Sequence, residues 1–412
     1  MQATIAVEMV LSLDMYASAG VGVLALLLGM YFTRAIPFLK RFCIPAPVSG
    51  GLLISLLTLL LYSVFGIECR FDGTVKDICM MLFFTSVGFQ SDIRVLRTGG
   101  RPLLVMILLV AVLIASQNLI SVGIAKYLGL SPLFGMAAGS IPMSGGHGTS
   151  GGFAPLLEQM GLAGASSITM AAATFGLVAG SLLGGPLGEA LIRRRRLAEQ
   201  SSSDDVMKGV ETTESSAEES KTEERAYWEY LTAACQLIIA MALGTGLSKL
   251  LALTGITFPT YFGSLLVACA MRNLFGLSPR LERGLCTGRI VSIGNICLQL
   301  FLGMAMASLR LWELASLALP LMLILAAQVA FMAIYAAFVA FPLLGRNYDS
   351  AVLVSGLCGF GLGATPNAMA NMSAVCYKYR YSAAPFVIVP IIGAMFVDII
   401  NTGIVTLFLN IF

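Results

Sequence analysis

Asp398 is the only charged residue between Phe386 and Leu409, and Asn401 follows it by three residues. That spacing puts the carboxylate and the amide on one face of a helix. An acid inside so apolar a run is costly to keep and marks a functional position. Three chemistries fit it: coordination of a sodium ion, carriage of a proton, or a structural cap. Two glycine-rich segments offer the complementary chemistry. Ser144-Gly145-Gly146-His147-Gly148-Thr149 and Gly359-Phe360-Gly361-Leu362-Gly363-Ala364-Thr365-Pro366-Asn367 each interrupt a hydrophobic stretch. Glycine at this density breaks a helix. Broken backbone at membrane depth is tolerated only where it is buried in protein or lines a cavity.

A half-helix that starts at such a break presents free N–H groups and a positive dipole end, a natural seat for a carboxylate. Ser140, Ser144, Thr149 and Ser150 add hydroxyls to the first break, and Thr365, Asn367 and Asn371 add polar groups to the second. Thr365-Pro366 fixes a bend and leaves the preceding carbonyls without helical donors, which suits a sodium ion. The candidate substrate-binding set is therefore Ser144, Gly145, Gly146, His147, Gly148, Thr149, Gly363, Thr365, Asn367 and Asn371. The candidate sodium ligands are Asp398, Asn401 and Thr365. His147 is the sole histidine, open to three roles: proton site, substrate contact or hydrogen-bonded structural group. The amides Gln117, Asn118, Gln328 and the i,i+4 pair Asn295 and Gln299 read as interhelical hydrogen-bonding groups.

Composition says what must position these residues. Of 412 residues, 58% are hydrophobic and only 11% charged, with a mean hydropathy of +0.88. Soluble domains carry about 25% charged residues, so this is an integral helical membrane protein. The nine cysteines are scattered without a C-x-x-C pair, which implies neither a disulfide framework nor a metal centre. No P-loop, dinucleotide fingerprint or catalytic triad is present, so the chain reads as neither an enzyme nor an ATP-driven pump, nor as a nucleic-acid binder. Glu8 and Asp14 precede the first basic residue, Arg34, which argues against a cleaved signal and for a retained first helix.

Hydropathy predicts spanning helices over about 16–34, 46–66, 74–93, 102–125 and 166–192, then over about 229–251, 258–275, 290–309, 315–341 and 384–410. The segments 131–158 and 349–377 are too interrupted by Gly and Pro for simple spans and read as re-entrant hairpins. Three parts follow: residues 1–196, a polar cytoplasmic linker over 197–226, and residues 227–412. Within the first, Gly176, Gly180, Gly184 and Gly188 form a bare helix face for close contact. With the N-terminus outside, one side of the membrane collects 17 Lys and Arg, linker excluded, and the other 5. That bias sets both termini outside and the linker, preceded by Arg193 to Arg196, inside. Five spans per half reverse the orientation of the second half. The halves also match weakly at a shift near 217 residues, as in Gly139 with Gly356 and Gly176 with Gly393. Similar halves of opposite topology form an inverted repeat with its site near the midplane.

Four stretches carry a family resemblance: Ile44-Pro-Ala-Pro-Val-Ser-Gly-Gly-Leu-Leu53, Ser144-Gly-Gly-His-Gly-Thr149, Leu311-Trp-Glu-Leu-Ala-Ser-Leu-Ala-Leu-Pro320 and Cys358-Gly-Phe-Gly-Leu-Gly-Ala-Thr-Pro366. Together they resemble the bacterial sodium/glutamate symporters, over about residues 20–410. The resemblance implies sodium-coupled uptake of L-glutamate across a bacterial inner membrane by an inverted-repeat, elevator-type homodimer. It assigns the two glycine segments to the family's re-entrant hairpins and Asp398 to its acidic residue in the last helix. No bound cofactor is implied, only sodium as coupling ion. A sodium-coupled carrier of another small carboxylate, and a cation/proton antiporter, stay as alternatives to the glutamate reading.

Overall fold

Long apolar runs leave the backbone no partner except itself, so the chain folds into helices. The structure, a computed structural model, describes residues 9–94, 100–197, 219–314 and 317–411. The first half runs β1 (Met9–Leu13), α1 (Met15–Ala35), α2 (Pro37–Arg41), α3 (Ala46–Phe65), β2 (Ile67–Phe71), α4 (Thr74–Gln90), α5 (Gly100–Tyr127), α6 (Pro132–Ala137), α7 (Ser140–Met143), α8 (Gly146–Gln159) and α9 (Ala165–Arg195). The second runs α10 (Glu219–Ala252), α11 (Phe262–Phe275), α12 (Pro279–Glu282), α13 (Thr287–Ala307), α14 (Leu311–Leu314) and α15 (Ala318–Tyr335), which continues through a π turn at Ala336–Ala340 into α16 (Phe341–Leu343). It closes with α17 (Tyr348–Leu362), α18 (Thr365–Lys378) and α19 (Ala383–Ile391), joined by a π turn at Ile392–Phe396 to α20 (Val397–Leu409).

Each predicted span is occupied by helix. Among the described residues, 7 helices are long and apolar enough to cross a membrane. The remaining three are α4 with 17 residues, α11 with 14, and the run α19–α20 with its π turn. At 1.5 Å per residue α11 reaches only about 21 Å, short of the roughly 30 Å hydrocarbon layer. Of the linker expected over 197–226, residues 198–218 lie outside the described residues, and α10 begins at Glu219. Among the described residues, the one departure from an all-α chain is a parallel β1–β2 pair, with Met9 opposite Ile67 and Leu13 opposite Phe71. Strands of only five residues, with one polar residue in β1 and two in β2, give too little alternation to stand out from the helices beside them.

The helices sort into two bundles. α1, α3, α4, α10, α11 and α13 pack mainly on one another. α5, α9, α15, α19–α20 and the hairpins α6–α8 and α17–α18 form the second. Each bundle therefore takes corresponding pieces from both halves of the chain. Ion pairs hold the ends of the bundles. Asp92, just past α4, accepts from Arg94 and from Arg272 of α11 at 2.7 Å, and the Arg94 hydrogen bond holds its carboxyl below the usual range. Lys378 at the end of α18 pairs with Glu189 of α9.

The bare face of α9 meets hairpin α17–α18 backbone to backbone. A Cβ on Gly176 would overlap the Leu362 carbonyl, one on Gly184 would overlap the Asn371 amide, and one on Gly180 would lie 3.1 Å from the Cys358 carbonyl. Nearly every side chain of α17 is buried, so this hairpin sits inside protein. Gly185, one residue off the stripe, has nothing within 4 Å. Gly176→Val should destabilise the protein by about 1–3 kcal/mol through overpacking, while Gly185→Ala should not. Thermal unfolding in detergent reads the pair; equal midpoints would mean that the stripe is not a packing surface.

Candidate functional site

Both glycine breaks end at one place. Gly146 adopts φ +60°, a left-handed conformation that L side chains rarely take, and a Cβ there would lie 2.9 Å from the Gly363 carbonyl. The hairpin tips thus touch through backbone. α8 starts at Gly146 and α18 at Thr365, each 14 residues long, and both N-termini open on the same cavity of about 390 Å³. The first N–H groups of a helix have no intrahelical acceptor. Pro366 removes one donor from α18, whereas the glycines of α8 let a ligand reach the backbone directly. Among the described residues lining this cavity, Asp398 is the sole acid and there is no lysine or arginine.

The cavity lies on the seam between the bundles. The hairpin tips, the π turn at Gly393, and Asp398 form one wall. Phe83, Val87 and Gln90 of α4, with Asn295, Leu298 and Gln299 of α13, form the other. Cys43 and Pro45 before α3, together with Gln90 at the end of α4, carry its lining to one end of these helices.

Buried amides fix the tips. Gln117 of α5 grips both hairpins: its Oε1 accepts from Ser144 Oγ at 2.7 Å and its Nε2 donates to the Gly361 carbonyl at 2.8 Å. Gln328 Nε2 donates to the Gln117 carbonyl at 2.7 Å. Asn118 Oδ1 accepts from Ser140 N at 2.9 Å, and Ser140 Oγ donates to Asn401 Oδ1 at 2.6 Å. Asn401 Nδ2 returns a bond to the Ser140 carbonyl at 3.2 Å. Hairpin α17–α18 is stitched to α9 by Asn367 Nδ2 on the Leu177 carbonyl, 2.7 Å, and Asn371 Nδ2 on the Gly180 carbonyl, 2.9 Å.

Of the residues singled out by sequence, Ser144, Gly145, Gly146, His147, Gly148, Gly363, Thr365 and Asp398 line the cavity together. Thr149, Asn367, Asn371 and Asn401 do not; they are buried behind its wall. Thr149 still touches the site, its Oγ1 donating to Asp398 Oδ1 at 3.4 Å. A Cβ on Gly393 would overlap the Thr365 hydroxyl, so the π turn brings the backbone carrying Asp398 against Thr365. The donors gathered there are carboxylate, hydroxyl and carbonyl oxygens, the set that suits a hard cation. Among the described residues no three His, Cys, Asp or Glu side chains cluster as for a transition metal. Thr174 Oγ1 donates its one proton to the Met170 carbonyl at 2.9 Å, so it accepts from His147 Nε2 at 3.0 Å. His147 is thereby held as the Nε2–H tautomer, with Nδ1 an acceptor.

Sequence reasoning did not place Gln90, Asn295 and Gln299 in the cavity wall, nor Gln117 as the clamp. The i,i+4 spacing of Asn295 and Gln299 was visible, but a shared face does not say what that face meets.

The profile of the sodium/glutamate symporter family matches residues 11–381. The sodium/glutamate symporter of Escherichia coli (strain K12) is 40% identical over 403 residues, covering 96% of this chain and 98% of that protein. The sodium/glutamate symporter of Haemophilus influenzae is 37% identical over 389 residues, covering 94% of this chain and 95% of its own.

The clamp can be tested on its own. Gln117→Leu takes from the Gly361 carbonyl its shorter donor, leaving only Ser144 Oγ at 3.4 Å, and takes from Ser144 its acceptor; buried polar groups so weakened cost about 1–3 kcal/mol. The expected result is a lower thermal midpoint in detergent; an unchanged midpoint would show that the hairpins hold their positions without the amide.

Proposed function

Because the chain belongs to the sodium/glutamate symporter family, we propose that its cavity is where one glutamate and its coupling sodium ions meet during uptake. The activity is sodium-coupled glutamate transport through a membrane, with sodium as cargo and no bound cofactor. The carrying observation is electrostatic: two helix N-termini converge on a cavity whose only charged side chain is an acid.

A carboxylate of glutamate takes the free N–H groups at Gly146, His147 and Gly148 and at Thr365. Ser144 and Gly363 shape this wall, and Thr149 steadies Asp398 from behind. Sodium takes Asp398, Thr365 and nearby carbonyls. Asn401 serves through Ser140, and Asn367 and Asn371 through α9, as supports of the tips. Without a fixed cation nearby, the anion gains most when sodium is present, because opposite charges attract strongly in a low dielectric. Linkage makes the gain mutual: sodium tightens glutamate binding and glutamate tightens sodium binding by the same factor. A charge crossing the membrane gains roughly 2.3 kcal/mol per 100 mV. Glutamate bears net −1, so one sodium per cycle cancels its charge, and each sodium beyond the first lets the membrane potential drive uptake as well.

Alternating access follows from the two bundles. The hairpin bundle carries the ligand wall, and the α1, α3, α4, α10, α11 and α13 bundle stays fixed while the other slides across it, in elevator fashion. Equal shares of both halves in each bundle support an inverted repeat. Set by the charge bias, both termini lie outside, the linker is cytoplasmic, and the end of the cavity lined by Pro45 and Gln90 lies toward the inside. A homodimer in a bacterial inner membrane completes this reading.

Purified protein in liposomes should accumulate labelled glutamate from sodium medium and not from choline medium; equal uptake in both would end the symport reading. Asp398→Asn should remove sodium-driven uptake with the fold retained by thermal unfolding. Wild-type sodium dependence in that variant would take Asp398 out of the ion site. Gly146→Val, which forces a branched side chain into a left-handed position against Gly363, should lower glutamate affinity at least ten-fold in a sodium-dependent binding titration, and wild-type affinity would disprove close backbone approach.

A further inference from the structure

The two walls of the cavity offer a ligand different chemistry. The hairpin wall carries donors at the helix N-termini and, beside them, acceptors at Asp398, His147 and the Gly363 carbonyl. That mixture suits the zwitterionic head of an amino acid, which brings an ammonium and a carboxylate together. The opposite wall has no acid. Its polar groups are Gln90, Asn295 and Gln299, set among Phe83, Leu298 and Leu302.

Gln90 is already engaged, its Nε2 donating to the Ser86 carbonyl at 3.3 Å. Asn295 and Gln299 are four residues apart on one face of α13, well inside the helix, and neither bonds to another described residue. α13 is pressed onto α4 at Gly294, where a Cβ would overlap Ser86, so the adjacent Asn295 face is turned along the seam. Interhelical hydrogen bonding, the sequence reading of this pair, is therefore not what these amides do. Asn295 is exposed and Gln299 half-buried, so both amides are open to whatever fills the chamber and free to meet a ligand there. Their N–H₂ groups can donate to a carboxylate without adding charge, which leaves neutralisation to sodium.

We propose that Asn295 and Gln299 are specificity-determining residues that hydrogen-bond the side-chain carboxylate of glutamate in this state of the carrier, while the hairpin wall holds its amino-acid head and keeps it when that bundle slides away from α13. This rests on the glutamate symport reading and adds which wall reads the side chain. The pair thereby separates glutamate from amino acids that share the head group and lack the distal anion. Removing a hydrogen bond to a charged group costs about a factor of ten or more in affinity.

The test uses the full chain in liposomes, with sodium-driven glutamate uptake competed by glutamine and by 2-aminobutyrate, which has no polar distal group. Asn295→Ala with Gln299→Ala should raise the KM for glutamate about ten-fold and leave the weak inhibition by 2-aminobutyrate unchanged. Asn295→Asp should go further: its carboxylate repels that of glutamate and accepts from the amide of glutamine, so preference moves toward glutamine. A damaged protein loses uptake but does not gain a new preference. Should Asn295→Asp fail to fold, Gln299→Glu carries the same expectation. Wild-type ratios among the three ligands in the folded variants would overturn the assignment and leave symport standing. Sodium-independent uptake by the unaltered protein would instead sink the symport reading itself.

Discussion

The proposed seat for glutamate is a cavity whose described lining contains no lysine and no arginine, so the anion would have to be held without a fixed cation. A guanidinium at the site would bind glutamate well in any ionic medium, and binding would then owe little to sodium. Helix termini are weaker: each presents roughly half a charge, spread over backbone N–H groups. That strength orients a carboxylate without fully compensating it, so on the proposed reading a mobile cation decides whether the ligand stays. The glycines follow from the same demand. Backbone can serve as the ligand surface only where side chains are missing, and at Gly146 even a methyl group would press on Gly363.

Opening two helices inside an apolar protein strands their end groups, and the molecule answers with amides rather than charges. Gln117, Asn118, Gln328, Asn367, Asn371 and Asn401 are all buried, and each makes at least one bond to backbone. A neutral amide carries donor and acceptor on one small group, so Gln117 can satisfy a carbonyl of one hairpin and a hydroxyl of the other at once. A charged residue in these places would have perturbed the field the ligand senses.

Much of this was legible in the residues. Apolar runs of about 20 residues located the spans, because membrane thickness dictates helix length. Glycine density located the breaks, and the isolation of Asp398 in its run flagged the acid. The roles of Asn367, Asn371 and Asn401 were harder to see. Each is a polar group beside a break, and only the fold shows that its partner is a backbone carbonyl about 190 to 260 positions away. The amides of α13 failed in the opposite direction: a pattern that usually means helix pairing faces an open chamber. Sequence periodicity gives the direction of a side chain around its own helix and is silent about what lies across the gap. The short β1–β2 pair escaped for a related reason, since parallel strands flanking two helices depend on how those helices turn back.

The glycine stripe of α9 has a mechanical outcome. With backbone resting on backbone at Gly176 and Gly180, no compressible layer of side chains separates α9 from hairpin α17–α18. Rotamer adjustment, the usual source of give between packed helices, is missing there, so this part of the bundle is stiff. On the proposed reading, a stiff carrier would not shift its anion seat while leaving the cation seat behind. Slippage, in which one solute crosses without the other and the ion gradient is dissipated, would on that reading be suppressed by rigidity before any gate had to act.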